Sequence, residues 1–193
     1  MTRAQGVSFR EAVAADAEWL ATFGREIFDA TFGPHNTADD MRGYLDSHYT
    51  VERQATEIAR PASRIWIAEL EGTRVGYTQL MLDAPRVELA GERATEINRF
   101  YVDASWHGRG IAAAMMAHCL EESRALGARW TWLAVWSKNE RAVAFYRKAG
   151  FEMIGEQIFV LGTDRQLDWV MARDLFAPSG STVQRETSEG RAQ

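Results

Sequence analysis

Between Thr95 and Leu126 three patterns follow one another without a break. Thr95 to Asp103 alternates as a strand does, a loop carries Gly108-Arg109-Gly110, and Gly110 to Leu126 forms a helical stripe with Met115, Met116, Cys119 and Leu120 inward. Gly127 is placed to end that helix, and Trp130 to Val135 reads as the next strand. Two strands joined through a helix run parallel, so both faces of their sheet need covering. A helix start leaves backbone N–H groups unpaired and carries a partial positive charge, and glycines let an anion approach the backbone closely. Together they make a site for a diphosphate. The same run also serves as a plain turn, and alone it does not decide.

The rest of the chain surrounds that unit. Val7 to Arg10 alternates as a short strand. Trp19, Leu20, Phe23, Ile27 and Phe28 recur at helical spacing until Gly33-Pro34 stops them. Thr37 is placed to cap a second helix striped by Met41, Tyr44, Leu45 and Tyr49, and Glu52 to Ala59 is a weaker third. Arg64–Glu69 and Val75–Met81 form a hairpin pattern across Glu71-Gly72-Thr73, followed by a polar loop from Asp83 to Arg93. Asn139 to Ala149 is a helix stopped by Gly150, and Phe151–Val160 with Gln166–Arg173 is a closing strand pair. A meander followed by strand–helix–strand crossovers predicts one mixed sheet with helices on both faces, an α/β fold. The polar tail, 177–193, has almost nothing to pack and is expected to be disordered.

Length and charge narrow the function. A chain of 193 residues suits one domain, here 7–175. Its 22 basic and 27 acidic side chains give a net charge of −5, which argues against a nucleic-acid partner. The longest nearly apolar run, Gly110–Ala117, is far short of the ~20 residues a membrane span needs, so no membrane partner is expected. Met1 to Leu20 shows no secretory pattern, and the single Cys119 forms no internal disulfide, which fits a cytoplasmic location. The four histidines fall in no metal-ligand spacing, so no metal is expected. The glycine run loosely satisfies a dinucleotide fingerprint, yet five residues separate it from its strand and the next strand ends at Val135-Trp136-Ser137 without a carboxylate.

His107-Gly108-Arg109-Gly110-Ile111-Ala112 resembles the Gln/Arg-x-x-Gly-x-Gly/Ala signature of the GCN5-related N-acetyltransferase (GNAT) superfamily. Asn139-Glu140-Arg141-Ala142-Val143-Ala144-Phe145-Tyr146-Arg147-Lys148-Ala149-Gly150-Phe151 is similar to that superfamily's Asn-x-x-Ala-x-x-Phe-Tyr-x-x-x-Gly-Phe. Glu96 to Val102, Trp106-His107-Gly108 and the ending from Phe159 to Met171 resemble its PaiA-like branch, which includes polyamine acetyltransferases. His107 departs from the usual Gln or Arg, at a position that mostly supplies backbone. The resemblance implies the GNAT acyl-CoA N-acyltransferase fold, with a central splayed sheet, and acetyl-CoA as co-substrate.

It also implies where each partner sits. Amides from Gly108 through Arg109, Gly110, Ile111 and Ala112 to Ala113 hold the pyrophosphate, beside His107, and the strand edge at Phe100, Tyr101 and Val102 pairs with the pantetheine arm. Asn139 hydrogen-bonds the arm from the other side, and a backbone N–H near Tyr101 or Val102 is the oxyanion donor. Tyr146 matches the residue that protonates the departing thiolate, or else packs with Phe145 and Phe151. Glu96, fourteen positions before Gly110, is the candidate base, or else a polar strand residue paired with Arg93 or Arg99. Strict alternation places Glu96, Asn98, Phe100 and Val102 on one face and Ile97, Arg99 and Tyr101 on the other.

The acceptor is expected between the first two helices and the Asp83–Arg93 loop. Its lining candidates are Phe28, Phe32, His35, Tyr44, Trp66, Gln79, Glu96 and Asn98, with Asp39, Asp40, Asp46, Glu88 and Glu92 to favour a cation, although Asp39 and Asp40 equally suit the positive start of a helix. The reading is acetyl transfer to a primary amine of a small molecule, a polyamine among the options, in a ternary complex. A non-catalytic acyl-CoA sensor and an enzyme acting on a protein or antibiotic amine are the alternatives. A homodimer follows only by analogy with relatives.

Overall fold

The alternating runs assemble into one seven-stranded sheet. The computed structural model describes residues 6–177, so the tail expected to be disordered lies, Ala177 apart, outside the described residues. The elements are β1 (Val7–Glu11), α1 (Ala17–Phe32), α2 (Ala38–His48), α3 (Val51–Ala59), β2 (Ser63–Leu70), β3 (Thr73–Met81), β4 (Ala94–Val102), α4 (Ile111–Ala125), β5 (Trp130–Trp136), α5 (Glu140–Lys148), β6 (Glu152–Leu161) and β7 (Asp164–Asp174). Strand order is β1-β2-β3-β4-β5-β7-β6. Among the described residues β4–β5 is the one parallel pair, as the crossover through α4 requires.

Each face carries its own core. On one, Met116, Cys119 and Leu120 of α4 and Val143 and Tyr146 of α5 pack on Leu80, Ile97, Leu133 and Val135 of the sheet. On the other, Leu20 and Phe23 of α1 pack on Ile65, Ile67 and Tyr77. The third helix is capped by Thr50, whose hydroxyl accepts from the Arg53 N–H at 3.1 Å. It buries Glu57 against Arg99 of β4, and the two side chains are 7% and 8% exposed. Removing Glu57 leaves the Arg99 charge buried without its counter-ion, which costs about 3–5 kcal/mol, whereas removing Arg99 leaves Glu57 still paired with Arg53 at 2.8 Å.

Two irregularities of β4 shape everything downstream. Gln79 opposes Arg99 whereas Leu80 opposes Ile97, so Asn98 is an extra residue, a bulge. The bulge puts Asn98 and Arg99 on one side, where both donate to the Gln79 carboxamide oxygen, at 2.9 and 3.1 Å. Strict alternation therefore fails at Asn98. Ile97 and Phe100 both pack toward α4 and α5, while Glu96 falls on the opposite face with Arg99 and Tyr101. The second irregularity is that β4 and β5 pair only from Ala94/Trp130 to Glu96/Trp132, and beyond those three residues the strands part. The sheet is open from Ile97 to Val102 on one side and from Leu133 to Trp136 on the other.

Gly76 holds the free end of β4 close. A Cβ there would lie 2.4 Å from the Tyr101 carbonyl oxygen, a contact no side chain tolerates. Gly76→Ala is expected to destabilise the protein by about 1–3 kcal/mol and to weaken coenzyme A binding, because it displaces the strand edge rather than a flexible side chain. A melting curve and a coenzyme A titration check both halves.

Candidate active site

The parting of β4 and β5 leaves one rim of β4 without backbone partners. Asp103 donates its N–H to Val75 at 3.0 Å. By the alternation of an antiparallel pair, Tyr101 then turns its backbone groups toward β3, and Phe100 and Val102 turn theirs into the gap. The three residues expected to offer a continuous edge thus divide into two that face the gap and one that does not. Tyr101 instead directs its phenol beneath the other face, where it shares a hydrogen bond with Tyr49 at 2.7 Å. The Val102 carbonyl is already held by His107 Nε2 at 3.0 Å, so the ring that departs from the family pattern ties the end of β4 to the glycine loop.

The loop then enters α4. Gly108 and Gly110 both have φ of +80°, the left-handed region that L side chains rarely adopt. Gly110 caps α4 without a side-chain hydrogen bond, which leaves the first-turn amides at Ile111, Ala112 and Ala113 without capping partners. Ile111 is buried among Ala68, Val75 and Met115, so this helix start is rigidly seated. Arg109 is exposed and stacks over Trp106 with its guanidinium 4.7 Å from the ring centroid. A diphosphate fits this cradle by the chemistry of its free N–H groups and by the backbone that glycine leaves open.

Asn139 caps α5, its side-chain oxygen accepting from the Ala142 N–H at 3.1 Å. Tyr146 lies on α5 against Phe100, Phe145 and Phe151, with ring centroids 6.2, 5.4 and 6.0 Å away. Burial, reinforced by Tyr101 and Cys119, holds its phenol protonated well above the usual tyrosine range. Because Phe100 faces α5, Tyr146 lies on the α4–α5 side of the gap.

Glu96 lies on the other side. It pairs neither with Arg93 nor with Arg99, whose guanidinium is taken by Glu57, Gln79 and Gln54. Burial raises its carboxyl above the ordinary glutamate value, partly opposed by Arg86. Arg86 extends from the β3–β4 loop over the Trp132 ring at 4.7 Å and donates to Gln157 at 3.0 Å, walling that side of the cleft.

The acceptor candidates separate in the same way. Phe32 and His35, at the end of α1 and just after it, put their rings 5.7 and 4.9 Å from Trp136 at the tip of β5. Phe28 is buried between Phe32, Tyr44 and Tyr49 and supports the wall from behind. Asn98 is exposed beside the gap, and Gln79 is buried beneath it. Trp66 lies on the wrong face, its ring set edge-on to His118 of α4. Four of the acidic residues named for a cation are already engaged: Asp39 with Arg42 at 3.0 Å, Asp46 with Arg25 at 2.8 Å, Glu88 with Arg86 at 2.9 Å, and Asp40 with Thr163 of the β6–β7 turn at 3.0 Å.

A carboxylate that sequence reasoning passed over takes their place. Asp168 of β7 stands opposite Trp136, is 8% exposed, and burial alone pushes its carboxyl up to about 6. The signal was a period of two: Gln166, Asp168, Val170 and Ala172 share one face, and all four are buried.

Comparison with known proteins agrees with this geometry. Residues 25–151 match the acetyltransferase (GNAT) family. An uncharacterised N-acetyltransferase of Lactobacillus delbrueckii subsp. lactis is 31% identical over 170 residues, covering 88% of this chain and 98% of the relative. One from Mycobacterium tuberculosis is 32% identical over 160 residues, covering 83% and 98%. The PaiA N-acetyltransferase of Thermoplasma acidophilum, solved with coenzyme A, superposes with a TM-score of 0.71 at 19% identity over 88% of this chain and 99% of that one. A spermidine N-acetyltransferase SpeG chimera from Vibrio cholerae and hSSAT gives 0.63 at 18% identity over 89% and 96%. The chain belongs to the GNAT family and is an N-acetyltransferase with acetyl-CoA as its co-substrate. No helix among the described residues is long and apolar enough to cross a membrane.

Proposed function

We propose that this chain transfers the acetyl group of acetyl-CoA to a primary amine of a small, cationic molecule of polyamine type. The observation that carries the reading is the gap between β4 and β5, with Tyr146 on one side of the sheet and Glu96 on the other. An unpaired seam is where a thioester can be reached from both faces at once. Acetyl-CoA, when bound, supplies the acetyl group. The first-turn amides of α4 and the loop from His107 to Gly110 hold its diphosphate, and the gap-facing amides of Phe100 and Val102 hold its arm, with Asn139 across from them.

Residues of the chain move the protons. A primary ammonium has a pKa near 10.4, so freeing its lone pair at pH 7 costs roughly 4–5 kcal/mol. Glu96, half-buried and unpaired, takes that proton through water. The nitrogen then bonds to the acetyl carbon and the carbon–sulfur bond breaks; the Tyr146 phenol gives its proton to the sulfur, and the second proton shed by the nitrogen as the amide forms restores the phenol. A gap-facing N–H of β4 steadies the carbonyl oxygen as charge builds on it. Polyamine-type acceptors are favoured by the ionisable, unengaged carboxyls of this face and by the branch that the closing strand pair resembles.

The test is thiol release from acetyl-CoA over a panel of mono-, di- and triamines, amino acids and aminoglycosides. Turnover highest with a di- or triamine is the expected result. Tight coenzyme A binding with no thiol release from any small amine overturns the reading and favours a sensor or a protein acceptor.

A further inference from the structure

Asp168 has no described partner. It stands between Trp136 of β5 and Gln157 of β6 in the sheet register, on the face that also carries Glu96, Trp132 and Trp136. The side chains around it are spoken for. Gln157 accepts from Arg86, Gln166 donates to Asn36 at 2.8 Å, and Phe32 and His35 lie against Trp136. Among the described residues no hydrogen bond or ion pair reaches the Asp168 carboxylate. A buried carboxylate without a partner is a cost that folding normally avoids. A residue held in that condition is poised for something that arrives from outside.

We propose that Asp168 forms a subsite for a second positive charge on the acceptor, at the end away from the nitrogen that is acetylated. A carboxylate attracts a cation by charge, the more strongly where water is kept out. Position matters as much as chemistry. Trp132 stands opposite Glu96 and Trp136 opposite Asp168, four residues further along β5; β4 and β7 flank β5, so about 13 Å along the strand and two strand spacings across it separate the two backbones by roughly 16 Å, which the side chains shorten from either end. A short diamine with one nitrogen near Glu96 falls short of Asp168, and an extended triamine reaches it. The inference rests on the small-amine reading above and adds which residue sets the preferred length of the acceptor.

The experiment compares spermidine with n-butylamine as acceptors for wild type, D168N and D168E. For D168N the ratio of kcat/KM between spermidine and n-butylamine is expected to fall at least tenfold, with the loss in the KM for spermidine rather than in kcat. D168E keeps the charge and is expected to recover most of that ratio. D168N removes a buried, unpaired charge, so it should melt no lower than wild type at pH 7, which excludes misfolding as the cause. An unchanged ratio, or a loss that D168E shares in full, overturns the subsite while acetylation of n-butylamine leaves the small-amine reading standing. If wild type binds coenzyme A and acetylates neither amine, that reading falls and the subsite with it.

Discussion

Glu96→Gln is expected to lower turnover at pH 7 by about a hundredfold to a thousandfold, the usual range for loss of a general base. Coenzyme A affinity should stay within about twofold of wild type, because the side chain lies on the opposite face from α4. The deficit should shrink as pH approaches the pKa of the acceptor, where free amine forms without help. Stability gives an independent check with the opposite sign. Burial raises the Glu96 carboxyl above its ordinary value, so the folded state favours its protonated form. That preference stabilises the protein at pH values below the ordinary glutamate pKa and is lost as pH rises through the folded value. The glutamine variant should therefore melt higher than wild type at pH 7 and about level with it near pH 4. A variant slower at every pH by the same factor, with a lower melting point, would show a structural role instead.

Tyr146→Phe should slow acetylation by about a hundredfold, the lower end of what proton transfer by a positioned side chain contributes. The ring contacts with Phe100, Phe145 and Phe151 survive the change, so packing and melting temperature should hold. The phenol is kept protonated by burial and by its neighbours Tyr101 and Cys119, so a proton is available at any working pH. A thioester with a more acidic thiol needs less help in leaving, and the variant should lose correspondingly less with an activated acyl donor. Wild-type turnover in the phenylalanine variant ends the acid assignment and leaves Tyr146 as core.

Element placement was readable because period and punctuation agree along the chain. Thr37 caps α2, Gly110 opens α4 and Gly150 follows α5, each where its residue type dictates. The glycine loop and the Asn139–Phe151 helix carry backbone requirements that few sequences satisfy, so the elements proposed to hold the donor could be outlined early. The acceptor half could not. Its geometry turns on one bulge at Asn98, and no period-two rule anticipates an inserted residue that moves Ile97 to the face of Phe100 and leaves Glu96 facing away. Charges named from the helices were consumed by local pairs such as Arg25 with Asp46, whereas Asp168 gained its interest from what fails to approach it. Unmet valence is a three-dimensional property, and a string of letters does not display it.

The three-residue pairing of β4 with β5 makes the sheet an aperture rather than a barrier. On the function proposed above, two reactants that enter a window from opposite rooms never compete for the doorway, and neither has to depart before the other arrives. Handing the acyl group straight across needs no covalent stopover on the protein. The wall of one room can also be refurnished for a new guest while the other keeps its fittings, and a fold divided in that way is free to diversify what it acetylates without relearning how to hold the donor.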